Sequence, residues 1–179
     1  SVTVAAGVAV AGYGSGFGSV AVNVGNNATL AAVYNSTLTL NTGNASVTAQ
    51  NKSNSYTIAA GVAISGGGAG GVGVSVDSGS TTAEMAGTVV TSAKDVSVAA
   101  TTSMNAFSLT FAAAGAIGAA AGSVAVTVMQ GSTTAKIIGS NITATGTVSA
   151  LATFAKPTGS VDIASLASGK SGLASTLST

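Results

Sequence analysis

Val20-Ala21-Val22-Asn23-Val24, Val72-Gly73-Val74-Ser75-Val76 and Val124-Ala125-Val126-Thr127-Val128 stand 52 residues apart at each step. A chain that repeats itself at a fixed interval of this size is built from units that stack, because one such unit alone cannot bury its apolar surface. Gly79-Ser80-Thr81-Thr82-Ala83 returns unchanged as Gly131-Ser132-Thr133-Thr134-Ala135. Gly87 matches Gly139, Val90 matches Ile142, and Val96 matches Val148. The first copy diverges more. Leu38 falls opposite Val90, Ala5 to Val10 returns as Ala59 to Ile64, and a short insertion near Asn44 is expected to set Val47 against Val96. The copies run about 1–54, 55–104 and 105–155, and together form one repeat region, 1–155.

Within a copy the hydrophobic period is 2. Val2, Val4, Ala6, Val8 and Val10 alternate with Thr3, Ala5, Gly7, Ala9 and Ala11; Tyr56, Ile58, Ala60, Val62 and Ile64 alternate with Thr57, Ala59, Gly61, Ala63 and Ser65. Strict alternation rich in β-branched residues reads as strand. The second face is small rather than polar, unlike a strand with one side in water. The expectation is that the Val and Ile face fills a core, at about 1.5–3 kcal/mol per side chain, while the Ala/Gly face takes a second layer at close range. Gly-rich links at 12–18, 66–71 and 115–122 join strands of similar length, so each copy is expected to open with a long hairpin. Shorter strands are expected to follow at 28–34, 37–40 and 46–49, with turns at Gly25-Asn26-Asn27 and Asn41-Thr42-Gly43-Asn44, residues that tolerate positive φ. Short strands, stacking copies and Gly or Asn corners describe a β-solenoid.

Residues 156–179 break the pattern. Lys156-Pro157-Thr158-Gly159 reads as a linker because Pro ends pairing, and Val161, Ile163, Leu166, Leu173 and Leu177 follow in a Ser/Ala/Gly background. A cap, a degenerate further strand and an arm donated to a neighbouring sheet edge all stay open for this tail.

Composition narrows the function classes. Charged residues are 5% of the chain against 46% hydrophobic, with 25 Gly, no His and no Cys. That balance is the opposite of a disordered chain, and a net charge of +1 lacks the basic footprint that nucleic acid requires. Seven aromatics are too few for base-stacking platforms. The absence of Cys excludes a disulfide scaffold and thiolate metal sites. No run of bulky apolar residues reaches the ~18 of a transmembrane helix. The chain opens at Ser1 without Met, which is expected of a processed product or a piece of something longer.

Catalysis needs a proton-transfer group, an activated nucleophile or a metal. The four carboxylates, Asp77, Glu84, Asp95 and Asp162, are scattered, and Asp77 and Glu84 read as a solvated edge. No enzyme, metal or cofactor site is expected. Gly66-Gly67-Gly68-Ala69-Gly70-Gly71 fits the dinucleotide fingerprint formally, but strand rather than helix follows it, so it reads as a strand link. Asn27, Asn35, Asn44, Asn51 and Asn141 begin N-x-S/T sequons and are candidate glycosylation sites. Lys52, Lys94, Lys136 and Asp95 read as charges at turns and edges that discourage unwanted strand pairing.

The third copy carries a family resemblance: Val124 to Val128, then Thr134-Ala135-Lys136-Ile137-Ile138-Gly139, then Ile142-Thr143-Ala144-Thr145-Gly146-Thr147-Val148. It resembles the passenger repeats of very large type V-secreted bacterial surface adhesins, leukotoxin-like and filamentous-haemagglutinin-like. The resemblance covers about 155 residues. It implies an extended right-handed parallel β-helix of about three imperfect repeats, an extracellular or cell-surface place, and a role in attachment or biofilm. Its partners would be the protein itself, or glycans and proteins on other cells. The family carries no catalytic residues to place. A self-assembling fibre subunit is the alternative. An ice-binding solenoid has only Thr37-Leu38-Thr39 in its favour, and a membrane β-barrel lacks aromatic girdles and a polar lumen face.

Overall fold

The computed structural model describes residues 2–9, 16–64, 67–115, 120–155, 158–167 and 171–178. The described residues are strand and short turns throughout. The first copy holds β1 (Val2–Ala9), β2 (Phe17–Tyr34) and β3 (Thr37–Thr39). The second holds β4 (Ala45–Ala63), β5 (Ala69–Ala86) and β6 (Val89–Ala93), and the third β7 (Val96–Ala114), β8 (Ala120–Ile138) and β9 (Asn141–Ala144). β10 (Val148–Phe154), β11 (Thr158–Ala167) and β12 (Ser171–Ser178) end the chain.

No strand pairs with its neighbour in sequence. Three sheets form instead, each collecting the equivalent strand of every copy: β1-β4-β7-β10 in the first, β2-β5-β8-β12 in the second, β3-β6-β9 in the third. Every pairing is parallel. The chain visits the three sheets in turn and returns to each one strand further along, an all-β arrangement compatible with a parallel β-helix. The sequence repeat is therefore the sheet register: Val20 pairs with Val72 and Val72 with Val124, while Gly79 to Ala83 lies along Gly131 to Ala135. Leu38 pairs with Val90 and Ala5 with Ala59, as the alignment of copies requires. β11 lies along Asn105 to Ala114 of β7, and β12 along Ala120 to Thr127 of β8.

Three expectations fail. The Gly-rich links do not close hairpins: β4 and β5 face each other across the interior, and their hydrogen bonds run to β7 and β8. Glycine at the link lets the chain change sheets; it does not set a ladder. The segment 28–34 is not a separate strand, because β2 continues through Asn26 and Asn27 in full register with β5. Val47 pairs with Val98, and Ala45 takes the place against Val96.

The long strands reverse their polarity halfway. Along β4, odd-numbered residues are buried throughout. At the start these are Ala45, Val47 and Ala49, with Ser46, Thr48 and Gln50 outside; from Ser55 onward they are Ser55, Thr57, Ala59, Gly61 and Ala63, with Tyr56, Ile58, Ala60 and Val62 on the other side. β7 repeats this, from Val96, Val98 and Ala100 inside to Ser108, Thr110, Ala112 and Ala114 inside, with Phe107, Leu109 and Phe111 on the outer face. β5 is its mirror in chain direction, with Val72, Val74 and Val76 outward near its start and Ala83 and Met85 inward near its end.

Each repeat thus has two parts. Where all three sheets meet, Ala45, Val47, Met85, Val90, Val96 and Val98 form an apolar core, with Leu38, Val33, Ile137 and Ile142 packed against it. At about 0.8 kcal/mol per buried CH2, this part supplies most of the hydrophobic stabilisation. Beyond it only the first two sheets face each other, and their apolar cluster is alanine alone: Ala63, Ala69, Ala112, Ala114 and Ala121. Backbone approaches backbone here. A Cβ on Gly61 would collide with the Gly70 carbonyl, and one on Gly71 would lie 2.8 Å from the Phe111 carbonyl oxygen. The expectation for the small face is met by this close layer. The expectation for the bulky face is reversed: Val2, Val4, Val8, Val20, Val22 and Val24 are all more than half exposed.

Candidate interaction surfaces

Three groups of side chains carry whatever chemistry the repeat offers. The first is a column joining the copies on the outside of the second sheet. Glu84 accepts a hydrogen bond from Tyr34 Oη at 2.9 Å and an ion pair from Lys136 Nζ at 3.1 Å. Register sets Ala32, Glu84 and Lys136 side by side, so one residue from each copy meets at Glu84. The Tyr34 hydrogen bond, then Lys136, hold the Glu84 carboxyl below the usual carboxylate value against some desolvation, and the same bond raises the Tyr34 phenol. Lys136 thus sits within β8 as the partner of a neighbouring copy rather than at a turn.

The second is a corner stack. The Thr147 backbone N–H donates to Asp95 Oδ1 at 2.8 Å and its hydroxyl at 3.0 Å, while the Asp95 N–H donates to Asn44 Oδ1 at 3.2 Å. The Thr147 bonds lower the Asp95 carboxyl's pKa, backbone donor first. Asn35, Gly87 and Gly139 form a second corner column, all in the left-handed region at φ 46°, 60° and 56°. Asn35 N–H donates to the Ala86 carbonyl and Gly87 N–H to the Ile138 carbonyl, both at 2.9 Å. Asn and Gly recur there because few L-residues accept that backbone.

The third group lies between the two facing sheets. Ser55 and Ser75 hydroxyls share a hydrogen bond at 3.0 Å, and Asn23 Nδ2 donates to Ser55 at 2.9 Å. Thr133 donates to Thr102 and Thr102 to Thr81, each at 2.7 Å. Asp77 belongs to this set, which overturns its reading as a solvated edge: it is fully buried, and neither carboxyl oxygen has a partner. Hydroxyls of Ser19, Thr57, Ser108, Thr110 and Thr127 are likewise buried and unpaired. The inner face of the two-sheet part is therefore polar, where the sequence reading found no such face.

Asp77 and Glu84 do not come together: they sit on opposite faces of β5, one inside and one outside. Among the described residues no group of three His, Cys, Asp or Glu is placed to hold a metal. Asp162 has no described side-chain environment. No helix among the described residues is long and apolar enough to cross a membrane. Of the sequons, Asn35, Asn44 and Asn141 are exposed at corners or a strand start, and Asn27 donates to Ser53 at 3.4 Å. Asn51 faces inward and is 92% buried, so it has no room for a glycan and leaves the candidate set. Comparison with protein-family models, with curated proteins and with solved structures found no match.

Proposed function

We propose that this chain is a segment of a right-handed parallel β-helix that serves as a non-enzymatic structural and adhesive rod at a bacterial cell surface. The observation that carries it is the register. Each strand of one copy is met in parallel by the same strand of the next, so copies add along one axis without a closing step. Bonds between copies at Glu84 and Asp95 are repeated devices of the same kind. The resemblance of the third copy to large type V-secreted adhesins supports the surface location and an attachment role. Low charge suits assembly of the rod with itself, and its corners, carrying Asn35, Asn44 and Asn141, are the surfaces offered to glycans or proteins of other cells.

Negative-stain electron microscopy of the purified chain, with and without residues 156–179, tests the rod. Short straight particles in both samples support it; rounded particles in both refute it. Filaments that vanish with the tail favour the fibre-subunit reading, in which the terminal strands of one copy extend the sheets of another head to tail. Displaying the chain on a non-adherent bacterium tests the adhesive half. Retention on host cells or glycan arrays several-fold above the undisplayed strain is expected, and unchanged retention leaves a scaffold without adhesion.

A further inference from the structure

The outer face of the second sheet holds a regular array. Val20, Val22 and Val24 of β2, Val72, Val74 and Val76 of β5, and Val124, Val126 and Val128 of β8 stand in three registered rows of three. Val20, Val22 and Val24 are 63%, 53% and 67% exposed. A glycine row borders the array at Gly18, Gly70 and Gly122, and Asn26, Ser78 and Gln130 border it on the other side. No charged side chain stands in the array, and at a net charge of +1 copies scarcely repel.

We propose that this valine array is a lateral docking surface for a second copy of the same chain, second sheet against second sheet about a two-fold axis. A flat sheet face made of one residue type is self-complementary, as an isologous contact requires, and two such faces pack as the layers of a sandwich. The outer face of the first sheet does not match itself in this way, because Tyr56 and Phe107 raise a tilted aromatic ridge, ring centres 6.3 Å apart, beside Val2. A bilayer is the poorer occupant. The sheets have open edges at β1 and β2, and hydrocarbon does not tolerate unpaired edge strands.

Area sets the strength. With strands about 4.8 Å apart and about 3.3 Å per residue, the nine valines cover roughly 250 Å² per copy. Stable interfaces bury about 800 Å² per partner. Three copies therefore give weak pairing, and each further copy in an array adds roughly 80 Å² on the same spacing. Lateral pairing strengthens with repeat number. It uses the repeat register but not the adhesive role, so its failure leaves the rod and the attachment tests untouched.

The chain has no Cys, so a single introduced thiol reports cleanly. Val74→Cys puts that thiol at the centre of the array, and Ile58→Cys puts one on the first sheet as control. Under mild oxidant, Val74→Cys is expected to form disulfide-linked dimers at least tenfold faster than Ile58→Cys. Val22→Thr with Val126→Thr, added to Val74→Cys, is expected to remove that advantage. Sedimentation of the unmodified chain is expected to show dimer only at high concentration. Equal crosslinking rates overturn the proposal, as does faster crosslinking at Ile58→Cys. So does an environment-sensitive dye on Val74→Cys that shifts with anionic or zwitterionic vesicles but not with protein concentration, since that assigns the face to lipid.

Discussion

Gly61 shows what single residues decide here. Its backbone lies against Gly70 of the facing sheet, and any side chain would meet that carbonyl rather than a yielding side-chain end. Gly61→Ala is expected to cost about 3 kcal/mol as overpacking against backbone, whereas Val62→Ala on the other face is expected to cost under about 1 kcal/mol because little apolar area leaves water-free contact. Chemical denaturation of both variants checks this, and a larger loss at Val62 would mean the bulky face is the buried one. Asp95 is the residue whose role depends on pH. Its folded pKa is depressed by Thr147, so its contribution is present above the ordinary carboxyl value of 3.8 and is lost as pH falls through the lower folded value. Asp95→Ala is expected to lower the melting temperature at neutral pH, with the gap to the unmodified chain closing below about pH 3.8. A gap that persists in acid would assign the effect to packing instead. The repeat positions were legible at this scale, since Gly87 and Gly139 read as one corner. Asp77 was not: its place inside follows from odd-numbered alternation along β5, and a carboxylate normally argues for the outside.

At the scale of elements, alternation identified strands correctly but did not say which face was inward. Val and Ala/Gly are both apolar, so burial energy favours the valine face while close approach favours the small one. The glycines settle the contest: once Gly61 and Gly71 bring backbones together, no valine fits between the sheets. The polarity switch within β4 was visible as Gln50, Lys52 and Asn54 giving way to Tyr56, Ile58 and Val62, yet a copy boundary drawn near 54 cut through this single strand. Turn chemistry misled at Asn26 and Asn27, where Asn sits in continuous strand because the partners Ser78 and Gly79 keep the ladder intact. The two parts of each repeat differ in stability. Met85, Val90, Val96 and Val98 anchor one, alanine and unpaired hydroxyls line the other. Amide hydrogen exchange is expected to be slowest at 45–50, 81–86 and 96–100 and at least tenfold faster at 57–63 and 107–114, reflecting local opening of the two-sheet part. Uniform protection along β4 and β7 would contradict that division.

For the whole molecule, stability is a sum of copies and the contacts between them. An end copy has one neighbour, so deleting the third copy with the tail, 105–179, is expected to lower the denaturant midpoint steeply rather than in proportion to length, because β4 and β5 would lose β7 and β8. Extensibility also explains why sequence alone carried the architecture so far: the 52-residue interval is the distance travelled before the chain returns to the same sheet, and stacking forces equivalent residues to meet. Partners and location were not legible in the same way, since alternating Val, Ala, Ser and Thr serve a rod without encoding what it touches. The most direct test of the stack is pyrene excimer fluorescence from Ser80→Cys/Ser132→Cys, labelled at both thiols and measured dilute. Ser80 and Ser132 are exposed register partners on adjacent strands. Strong excimer emission is expected, falling sharply when the second label moves to Ser140 at the next corner. Equal or absent emission from the two pairs would contradict parallel, in-register stacking of the copies.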